Sequence, residues 1–497
     1  MLPALEDRRI LGIRLHMIVL AVLAGVLVWN TSLRWRMLLQ HRTELGGVEH
    51  NVIHGIQKIM LGQDLYEDPE RPPFDVMQYT PAYYLLCAAV GKILGLHGDD
   101  VRSIYLLSRT MALLFNVVMV WFVYRTCRVA GAALWASWVA AGVSFACLWE
   151  HFFTRMDAMA AALAAASVYY FVQWIIDRKQ RSLVLVTVLS VLGVLAKQSG
   201  VVMLAAPFVF LLLNKEWRAL RMFILSSGIV LVLCTIIVLQ LGNVHAFYQN
   251  TVLGLRNGIS LQMYEELFNP PTYKYFIGWH IMAAVVVVKS LRSKSTPLHY
   301  LALCIPMSLG FALITGLKYG SRLNYIHESL MLTFIGVAVL LPQMEQVRSR
   351  NVLAWSFAGY GLLFAAFRTN SVLAWFRVGE PDAIHARHME HDKAVHAVLV
   401  GELGLKPDEY VFITYREYLE HHLVGQSLLT QKDIVQYSKD RLFDYRAFHH
   451  AMTDGTVRFV ITDGAVGPIT YLDSIYTGWQ PIRSVNGRII MARAPRP

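Results

Sequence analysis

Charged residues are scarce in this sequence. They make up 16% of the 497 residues, against about 25% in soluble domains, while 56% of the residues are hydrophobic. This composition excludes an ordinary soluble protein and predicts an integral membrane protein. The net charge of +11 does not indicate a nucleic-acid partner, because the Lys and Arg residues stand in short clusters beside apolar runs.

Several features of other protein classes are also missing. The five cysteines lie within or at the ends of apolar stretches, with neither metal-ligand spacing nor a disulfide framework, so we expect them to pack as small apolar residues. The first apolar run is too long for a cleavable signal peptide and has no small-residue cleavage site. The sequence shows no nucleotide-binding loop, internal repeat or low-complexity segment.

Eleven apolar runs indicate membrane helices. They lie at roughly residues 15–33, 104–124, 130–149, 156–176, 183–196, 200–213, 222–241, 276–288, 300–317, 329–341 and 352–367. Lys and Arg clusters recur at every second gap, which by the positive-inside rule places the N-terminus in the cytoplasm and the first loop outside. A shorter segment at 81–96 would reverse this order if it crossed the membrane, so we expect a juxtamembrane helix there, beginning near Pro81.

These patterns divide the chain into two domains. We expect a helical polytopic membrane domain at residues 1–375 and a small extracytoplasmic α/β domain at residues 376–497. In the second domain the patterns predict strands at 410–414 and 457–463, helices at 416–425 and 441–452, and a hairpin at 480–494 that turns at Asn486-Gly487. The first outer loop, at 36–102, is too long for a simple connection and is the first place to expect function.

Polar residues near the ends of the apolar runs each allow two interpretations. Glu49 is either a general base at the membrane surface or an ordinary solvated acid, and Glu44, Asp64, Glu67 and Asp68 compete for the same role. Asp157, two residues after Arg155, is either a functional acid or a helix cap with an ion pair. Arg109 needs an anion, which is a carboxylate in a structural role and a phosphate if the partner is a ligand.

Two further features favour a polar cavity at the outer ends of the helices. Lys197 either snorkels to the membrane surface or binds a ligand there. Residues 318–328 form a dense polar turn between two apolar runs. Several runs are also shorter than the ~20 residues that a bilayer requires, and polar groups at that depth are tolerated where they face protein or water.

These motifs together resemble those of the GT-C superfamily of membrane glycosyltransferases, which includes lipid A aminoarabinose transferases and protein O-mannosyltransferases. The first loop contributes Glu49, Gly62-Gln-Asp-Leu-Tyr66 and Tyr79-Thr-Pro81. The later elements are Arg109, Arg155-Met-Asp157, Lys197-Gln198, Asn324-Tyr325 and Glu328. The resemblance covers about residues 1–370. Two positions depart from it: Glu49 replaces the usual Asp or Asp-Glu pair, and Met156 replaces a proline.

The resemblance implies the chemistry that we expect. An inverting enzyme of the bacterial inner membrane would move a sugar from a polyprenyl-phosphate donor to a hydroxyl of a lipid, glycan or protein acceptor on the outer face. Glu49 would be the base, Asp157 would orient the acceptor or share that role, and the donor phosphate would be held by Arg109, Lys197 and Arg322. The residues implied to contact the substrates are His50, Tyr66, Tyr79, Glu150, Arg155, Gln198, Asn324, Tyr325 and Glu328.

Two matters stay open at this point. A divalent cation, if the enzyme uses one, would bind at Glu49 or Asp157, and no other cofactor is expected. The main rival is a transporter or flippase of lipid-linked saccharides, because polar groups at membrane depth also line transport paths. Against that rival, the sequence has no matching pair of broken helices in two halves, and its polar residues gather on one side of the membrane.

Overall fold

The computed structural model describes residues 9–10, 13–148, 150–256, 258–269, 273–318, 321–415, 418–430, 443–463 and 478–494. The chain forms two compact units. The helical unit comprises Met1–Leu38, Thr110–Cys234 and Ser260–Gly379. The second, which we call the loop–sheet unit, comprises Leu39–Arg109, Thr235–Ile259 and Glu380–Pro497, so it contains both the first loop and the C-terminal segment.

Helices dominate the described part of the chain. In order they are α1 (Leu15–Leu39), α2 (Glu49–Met60), α3 (Ala82–Ile93), α4 (Val101–Val129), α5 (Leu134–Ala146), α6 (Asp157–Asp177), α7 (Gln180–Ala196), α8 (Val201–Leu213), α9 (Trp217–Val238), α10 (Val244–Thr251), α11 (Leu261–Leu267), α12 (Ile277–Ser290), α13 (Thr296–Gly316), α14 (His327–Leu340), α15 (Val347–Val378), α16 (Asp382–Ala397), α17 (Leu419–His422) and α18 (Arg446–Asp454).

Each of the eleven predicted apolar runs coincides with one of these helices over most of its length. Among the described residues, seven helical segments of 21 to 32 residues are long and apolar enough to cross a membrane. The other four runs form α5, α7, α8 and α12, which are 13 to 17 residues long. The segment at 81–96, predicted to be a juxtamembrane helix, forms the 12-residue helix α3. The protein is therefore an integral membrane protein with a helical polytopic domain, as its composition predicts.

Within the helical unit, α6 and α7 form an antiparallel pair. Only two residues connect them, and Arg178 ends α6 in the left-handed conformation with φ 55°. The pair packs closely through alanines of α6 and through a hydrogen bond of 2.8 Å between the hydroxyls of Ser167 and Ser190. The start of α6 and the end of α7 consequently lie together.

The loop–sheet unit contains a five-stranded mixed sheet. The strands β1 (Arg9–Ile10) and β2 (Ile13–Arg14) form a separate pair near the N-terminus. The strands of the mixed sheet are β3 (Tyr410–Ile413), β4 (Ser427–Leu428), β5 (Val457–Thr462), β6 (Trp479–Val485) and β7 (Arg488–Arg493), arranged in the order β4-β3-β5-β7-β6. β3 pairs in parallel with β4 and with β5, whereas β7 pairs antiparallel with β5 and with β6. Both predicted strands and the hairpin are confirmed, with Asn486 and Gly487 at φ 49° and 84°, as a tight hairpin turn requires.

The two predicted C-terminal helices are shorter than expected. The helix predicted at 416–425 is reduced to Leu419–His422, and residues 416–417 lie outside the described residues. The helix predicted at 441–452 begins at Arg446, and residues 441–442 lie outside the described residues as well. The small sheet domain and its α/β class are nevertheless as predicted.

Both faces of the sheet are buried. Alternation along β3 sends Val411 and Ile413 into one apolar cluster and Phe412 into the other. Phe74, a residue of the first loop, is fully buried in the cluster around Phe412 and packs edge-on against Phe448 at 5.5 Å. The first loop thus completes the core of the C-terminal sheet, which is why the two segments form one unit.

Candidate active site

Two polar clusters contain most of the predicted site residues, one in each unit. In the helical unit, Asp157 is the first residue of α6 and Lys197 directly follows α7. Lys197 adopts an extended backbone (φ −156°, ψ 138°), which ends the helix before a short 3-10 turn at Gln198–Gly200. Gly200 makes this break possible, since a Cβ there would lie 2.4 Å from the carbonyl carbon of Gly193.

The Lys197 side chain turns inward to Asp157. Its Nζ lies 2.6 Å from Oδ1 of Asp157, and the two residues are only 6% and 4% exposed. A lysine that snorkels would carry its ammonium group to the membrane surface instead. The structure therefore argues against snorkelling of Lys197, and binding of a ligand by this cation stays a prediction.

The Asp157 carboxylate has further partners from two other segments. Asn324, in the 3-10 turn Leu323–Ile326, donates its side-chain amide to Oδ1 at 2.6 Å. Arg155 brings its Nη2 to 3.4 Å from Oδ2. The predicted ion pair with Arg155 is present, but the shorter contacts come from elements distant in sequence. Asp157 is thus the centre of a polar cluster and more than a helix cap.

A small cavity of about 20 Å³ adjoins this cluster. It is lined by Phe152, Asp157, Ala160, Ala161, Lys197, Ser199, Phe311, Asn324, Tyr325 and Glu328. Lys197 Nζ lies 4.7 Å from the centre of the Tyr325 ring, and Glu328 is half-buried. The volume accommodates about one water molecule, so a larger ligand requires these side chains to move apart.

The second cluster, in the loop–sheet unit, joins Glu49 to Arg109. Glu49 is the first residue of α2, and its two carboxylate oxygens lie 2.7 and 3.0 Å from Nε and Nη2 of Arg109. The backbone N–H of Leu45 donates to the same carboxylate at 3.0 Å. Both charged side chains are fully buried, which excludes a solvated loop acid at position 49.

The same arginine also fixes the backbone of the loop that precedes α2. Its Nη1 donates to the carbonyl of Gln40 and its Nη2 to that of Arg42, each at 2.6 Å. Of the two partners that the sequence left open for Arg109, the structure provides the carboxylate. Planar, bidentate pairing of this kind fixes the orientation of both groups.

Three of the predicted substrate contacts are engaged within the loop–sheet unit. His50 Nε2 lies 2.5 Å from a carboxylate oxygen of Glu420, and its ring is centred 4.2 Å from that of His421. The hydroxyl of Tyr66 donates to the carbonyl of Tyr79 at 2.9 Å. These residues hold the loop together in this structure, and their contacts with substrates remain predictions.

The remaining predicted residues are dispersed. Arg322 is exposed, and Gln198 is half-buried in the turn that follows Lys197. Glu150 lies in the short 3-10 helix Glu150–Phe153, and its side chain lies outside the described residues. The structure thus brings Asp157, Lys197, Asn324, Tyr325 and Glu328 around one cavity, with Arg155 beside Asp157.

The acids that compete with Glu49 have ordinary structural roles or lie in solvent. Glu44 accepts the backbone N–H of His50 at 2.9 Å, near the start of α2. Asp68 accepts that of Glu70 at 3.0 Å in an Asx turn. Asp64 is exposed. The position of Glu49 opposite Arg109 distinguishes it from these acids.

Sequence reasoning missed two groups of residues. Lys318 stands in the predicted polar turn but was not singled out; burial and then the charge of Lys197 lower its pKa to about 8. Glu420 and His421, which contact α2, were missed as well, because no motif marks a partner more than 360 residues away. Of these residues, Lys318 alone carries a sequence signal, because it belongs to the polar turn at 318–328.

Neither acid fits a divalent cation. Both oxygens of Glu49 are engaged by Arg109, and Oδ1 of Asp157 is engaged by Lys197, so each acid already faces a positive charge. A hard cation requires several oxygen ligands at one point. Throughout the described ranges, no three His, Cys, Asp or Glu side chains are placed to hold a metal ion.

Comparison with known proteins identifies one family model. Residues 80–240 match the family described as dolichyl-phosphate-mannose-protein mannosyltransferase. This range contains Arg109, Asp157 and Lys197, and ends before Asn324. A search of curated proteins finds no match.

Solved structures are similar over nearly the whole chain. ArnT from Cupriavidus metallidurans in the apo state has a TM-score of 0.60 and 12% identity, covering 95% of this chain and 99% of that chain. The same protein bound to undecaprenyl phosphate has a TM-score of 0.57 and 12% identity, covering 97% and 99%. At these identities the likeness establishes the fold.

A third solved structure is similar at a lower TM-score. The Archaeoglobus fulgidus oligosaccharyltransferase AglB, in complex with an inhibitory peptide and a dolichol-phosphate, has a TM-score of 0.51 and 12% identity. The alignment covers 90% of this chain and 69% of that one. The same arrangement of helices is therefore shared with proteins of different size.

Proposed function

We propose that this protein, which has the fold of the GT-C superfamily of glycosyltransferases, transfers a sugar from a polyprenyl-phosphate donor to an acceptor hydroxyl. The observation that carries the proposal is the Asp157–Lys197–Asn324 cluster beside a cavity in the helical unit. A cation held at the ends of apolar helices would meet a lipid-linked phosphate there once the cavity opens. A transporter of lipid-linked saccharides has no support among the comparisons.

The donor phosphate would bind at Lys197. An ammonium group on a flexible stem can leave one anion for another, so Lys197 would exchange Asp157 for the phosphate when the cavity opens. Lys318 would add a second positive charge below pH 8. Stabilising the negative charge that develops on the phosphate as it leaves is typically the largest electrostatic contribution to such a reaction.

The transfer itself is a single displacement. The acceptor oxygen forms a bond to the anomeric carbon from the face opposite the phosphate, with inversion. The bond between that carbon and the phosphate oxygen breaks, and polyprenyl phosphate leaves with the electron pair. The hydroxyl proton passes to a carboxylate, so charge and atoms balance.

Glu49 is the proposed proton acceptor, as the resemblance implies. A carboxylate offers about four acceptor positions. Arg109 and the N–H of Leu45 engage three of them in this structure. A base held in this way keeps its orientation before the acceptor arrives. Asp157 is the second candidate, with the orienting or shared role that the resemblance allows.

The orientation in the membrane is proposed from the charge pattern. We propose a cytoplasmic N-terminus and transfer on the outer face, because six Lys and Arg clusters agree on that orientation. A bacterial inner membrane location is proposed from the resemblance alone. The acceptor would be a lipid, a glycan or a protein. A panel covering these three classes is needed because the site residues do not distinguish them.

The test is transfer by the purified protein in nanodiscs, with a panel of polyprenyl-phosphate sugars and acceptors, and products identified by mass spectrometry. We expect transfer by the native protein, and its loss on Asp157→Asn and Lys197→Met. Lys289→Met is the matched control, since that lysine is exposed on α12 and lines no part of the site cavity. Movement of the donor between leaflets without transfer would instead establish the transporter.

A further inference from the structure

His421, in the C-terminal segment, bridges two helices of the loop–sheet unit. It lies in α17 and is 1% exposed. Its Nδ1 is 2.8 Å from the side-chain oxygen of Gln57 on α2. Its Nε2 is 2.9 Å from the hydroxyl of Tyr105 on α4. A single imidazole thus contacts both helices through its two nitrogen atoms.

Each partner shares a helix face with one member of the buried ion pair. Gln57 lies eight residues after Glu49 on α2, which is about two helical turns. Tyr105 lies four residues before Arg109 on α4, about one turn. His421 therefore ties the helix that carries the carboxylate to the helix that carries the guanidinium.

The hydrogen bonds of this bridge have fixed directions. The Gln57 amide nitrogen donates to the carbonyl of Gly98 at 2.7 Å and to that of His421 at 3.0 Å, so its oxygen is the acceptor. Nδ1 of His421 must then carry the proton and donate to Gln57. Nε2 is left to accept the hydroxyl of Tyr105. A neutral imidazole provides this combination of one donor and one acceptor.

The surroundings favour that neutral form. Burial, and then the nearby His50, His54 and His422, lower the pKa of His421 well below its usual value. The neighbouring Glu420 provides a second connection to α2, through His50 at 2.5 Å. Two successive residues of the C-terminal segment, Glu420 and His421, thus contact α2, and both contacts are buried.

We propose that His421 is a positioning residue, which sets the geometry of the Glu49–Arg109 pair from the C-terminal domain. The inference rests on the proposed function, in which Glu49 is the base. It gives the C-terminal domain a part in the reaction, because that domain then helps to place the proposed base, Glu49. Residues that orient a catalytic group by hydrogen bonds affect the rate even where they touch no substrate.

The test compares replacements of equal bulk in the full-length protein in nanodiscs. His421→Phe removes both hydrogen bonds, and we expect kcat to fall about 10- to 100-fold, the loss typical of a misplacement of about 1 Å. KM for the donor should change less than about twofold, since the two hydrogen bonds of the His421 ring go to Gln57 and Tyr105, which are not proposed to bind the donor. His422→Phe is the control, because that half-buried ring contacts His396 and lies outside the bridge.

A second set of variants separates positioning from simple stability. His421→Asn keeps a donor for Gln57 but no acceptor for Tyr105, and should recover part of kcat. Tyr105→Phe should lower kcat in the native background and have no further effect beside His421→Asn. A purely structural role would instead lower the unfolding midpoint of these variants while leaving kcat per folded molecule unchanged.

The outcomes are distinguishable from a failure of the proposed function. If the native protein transfers no sugar, the proposed function fails, and this inference fails with it. If the native protein is active and both His421→Phe and Tyr105→Phe keep native kcat, the proposed function stands and the positioning role is overturned. Should His421→Phe not fold, Tyr105→Phe alone decides the question, because it removes one hydroxyl.

Discussion

The two candidate catalytic acids, Glu49 and Asp157, are held by different cations, and the difference separates two kinds of role. Glu49 is bound by a planar guanidinium through two hydrogen bonds of 2.7 and 3.0 Å. Asp157 is bound by the ammonium group of Lys197 and by the amide of Asn324, both on one oxygen. The first arrangement fixes the orientation of the carboxylate through a bidentate pair, whereas the shortest contacts of Asp157 meet at one oxygen, with Arg155 3.4 Å from the other.

The surroundings of Arg109 are also more restrictive than those of Lys197. Arg109 has its remaining donors on the carbonyls of Gln40 and Arg42, so the pair cannot separate without disrupting the loop. Lys197 borders a cavity and can direct its ammonium group to a new anion when the cavity expands. We infer that the rigid pair suits an acid whose direction matters, and the exchangeable pair suits a site for a leaving phosphate.

The largest expected effect comes from breaking the rigid pair. Arg109→Met leaves a buried carboxylate without its cation, and removing one partner of such a pair costs about 3–5 kcal/mol of unfolding free energy. Thermal unfolding in nanodiscs would measure the loss. Arg109→Lys should recover little of it, because an ammonium group cannot replace two parallel hydrogen bonds.

A double variant distinguishes lost charge pairing from lost packing. Glu49→Leu combined with Arg109→Met removes both charges, and apolar replacement of a whole pair is often neutral. We expect the double variant to be more stable than Arg109→Met alone, yet to have no transfer activity. Equal stability of the two would show that the pairing contributes nothing to the fold.

The exchangeable pair, Asp157–Lys197, should tolerate replacement of its cation by another cation, which the Glu49–Arg109 pair should not. Lys197→Met should lower kcat/KM for the donor about 10²- to 10³-fold, the usual cost of losing one electrostatic contact with a developing charge. Lys197→Arg should retain most of the activity, since a positive charge and not a particular geometry is required. A larger loss for Lys197→Arg than for Arg109→Lys would contradict the comparison.

The sequence predicted the elements of this fold better than their partners. Each of the eleven predicted apolar runs coincides with a helix, because helix formation in a membrane depends on local composition and length. The hairpin at Asn486-Gly487 followed from two residues that tolerate positive φ. The Asp157–Lys197 pair was also foreseeable in part, since both residues stand at the ends of neighbouring runs.

Partners brought together by tertiary packing could not be predicted in the same way. Phe74 enters the core of a sheet formed more than 330 residues later, which no periodicity in the first loop indicates. The burial of Glu49 was missed for the same reason, because a polar segment with helical spacing is compatible with either solvent or a charged partner. His421 carries no motif, and only the folded chain shows which helices it joins.

The smallest expected effect concerns the second lysine near the exchangeable pair. Burial, and then the charge of Lys197, lower the pKa of Lys318 to about 8. Below that pH both lysines attract the donor phosphate, and as the pH rises through about 8 Lys318 becomes neutral. We expect kcat/KM for the donor, which reports the free enzyme, to fall by less than about tenfold, because a partly exposed charge contributes about 1 kcal/mol or less.

Two replacements of Lys318 isolate this effect from every other titration. Lys318→Arg stays charged above pH 8, so the decline in kcat/KM should disappear while donor affinity is kept. Lys318→Gln is never charged, so its profile should be flat at the lower value. A decline near pH 8 that persists in Lys318→Arg would assign it to another group and leave Lys197 as the one exchangeable cation at this site. If the decline is absent in Lys318→Arg, Lys318 is the group that titrates. Its charge then depends on pH, whereas Arg109 stays charged at every accessible pH.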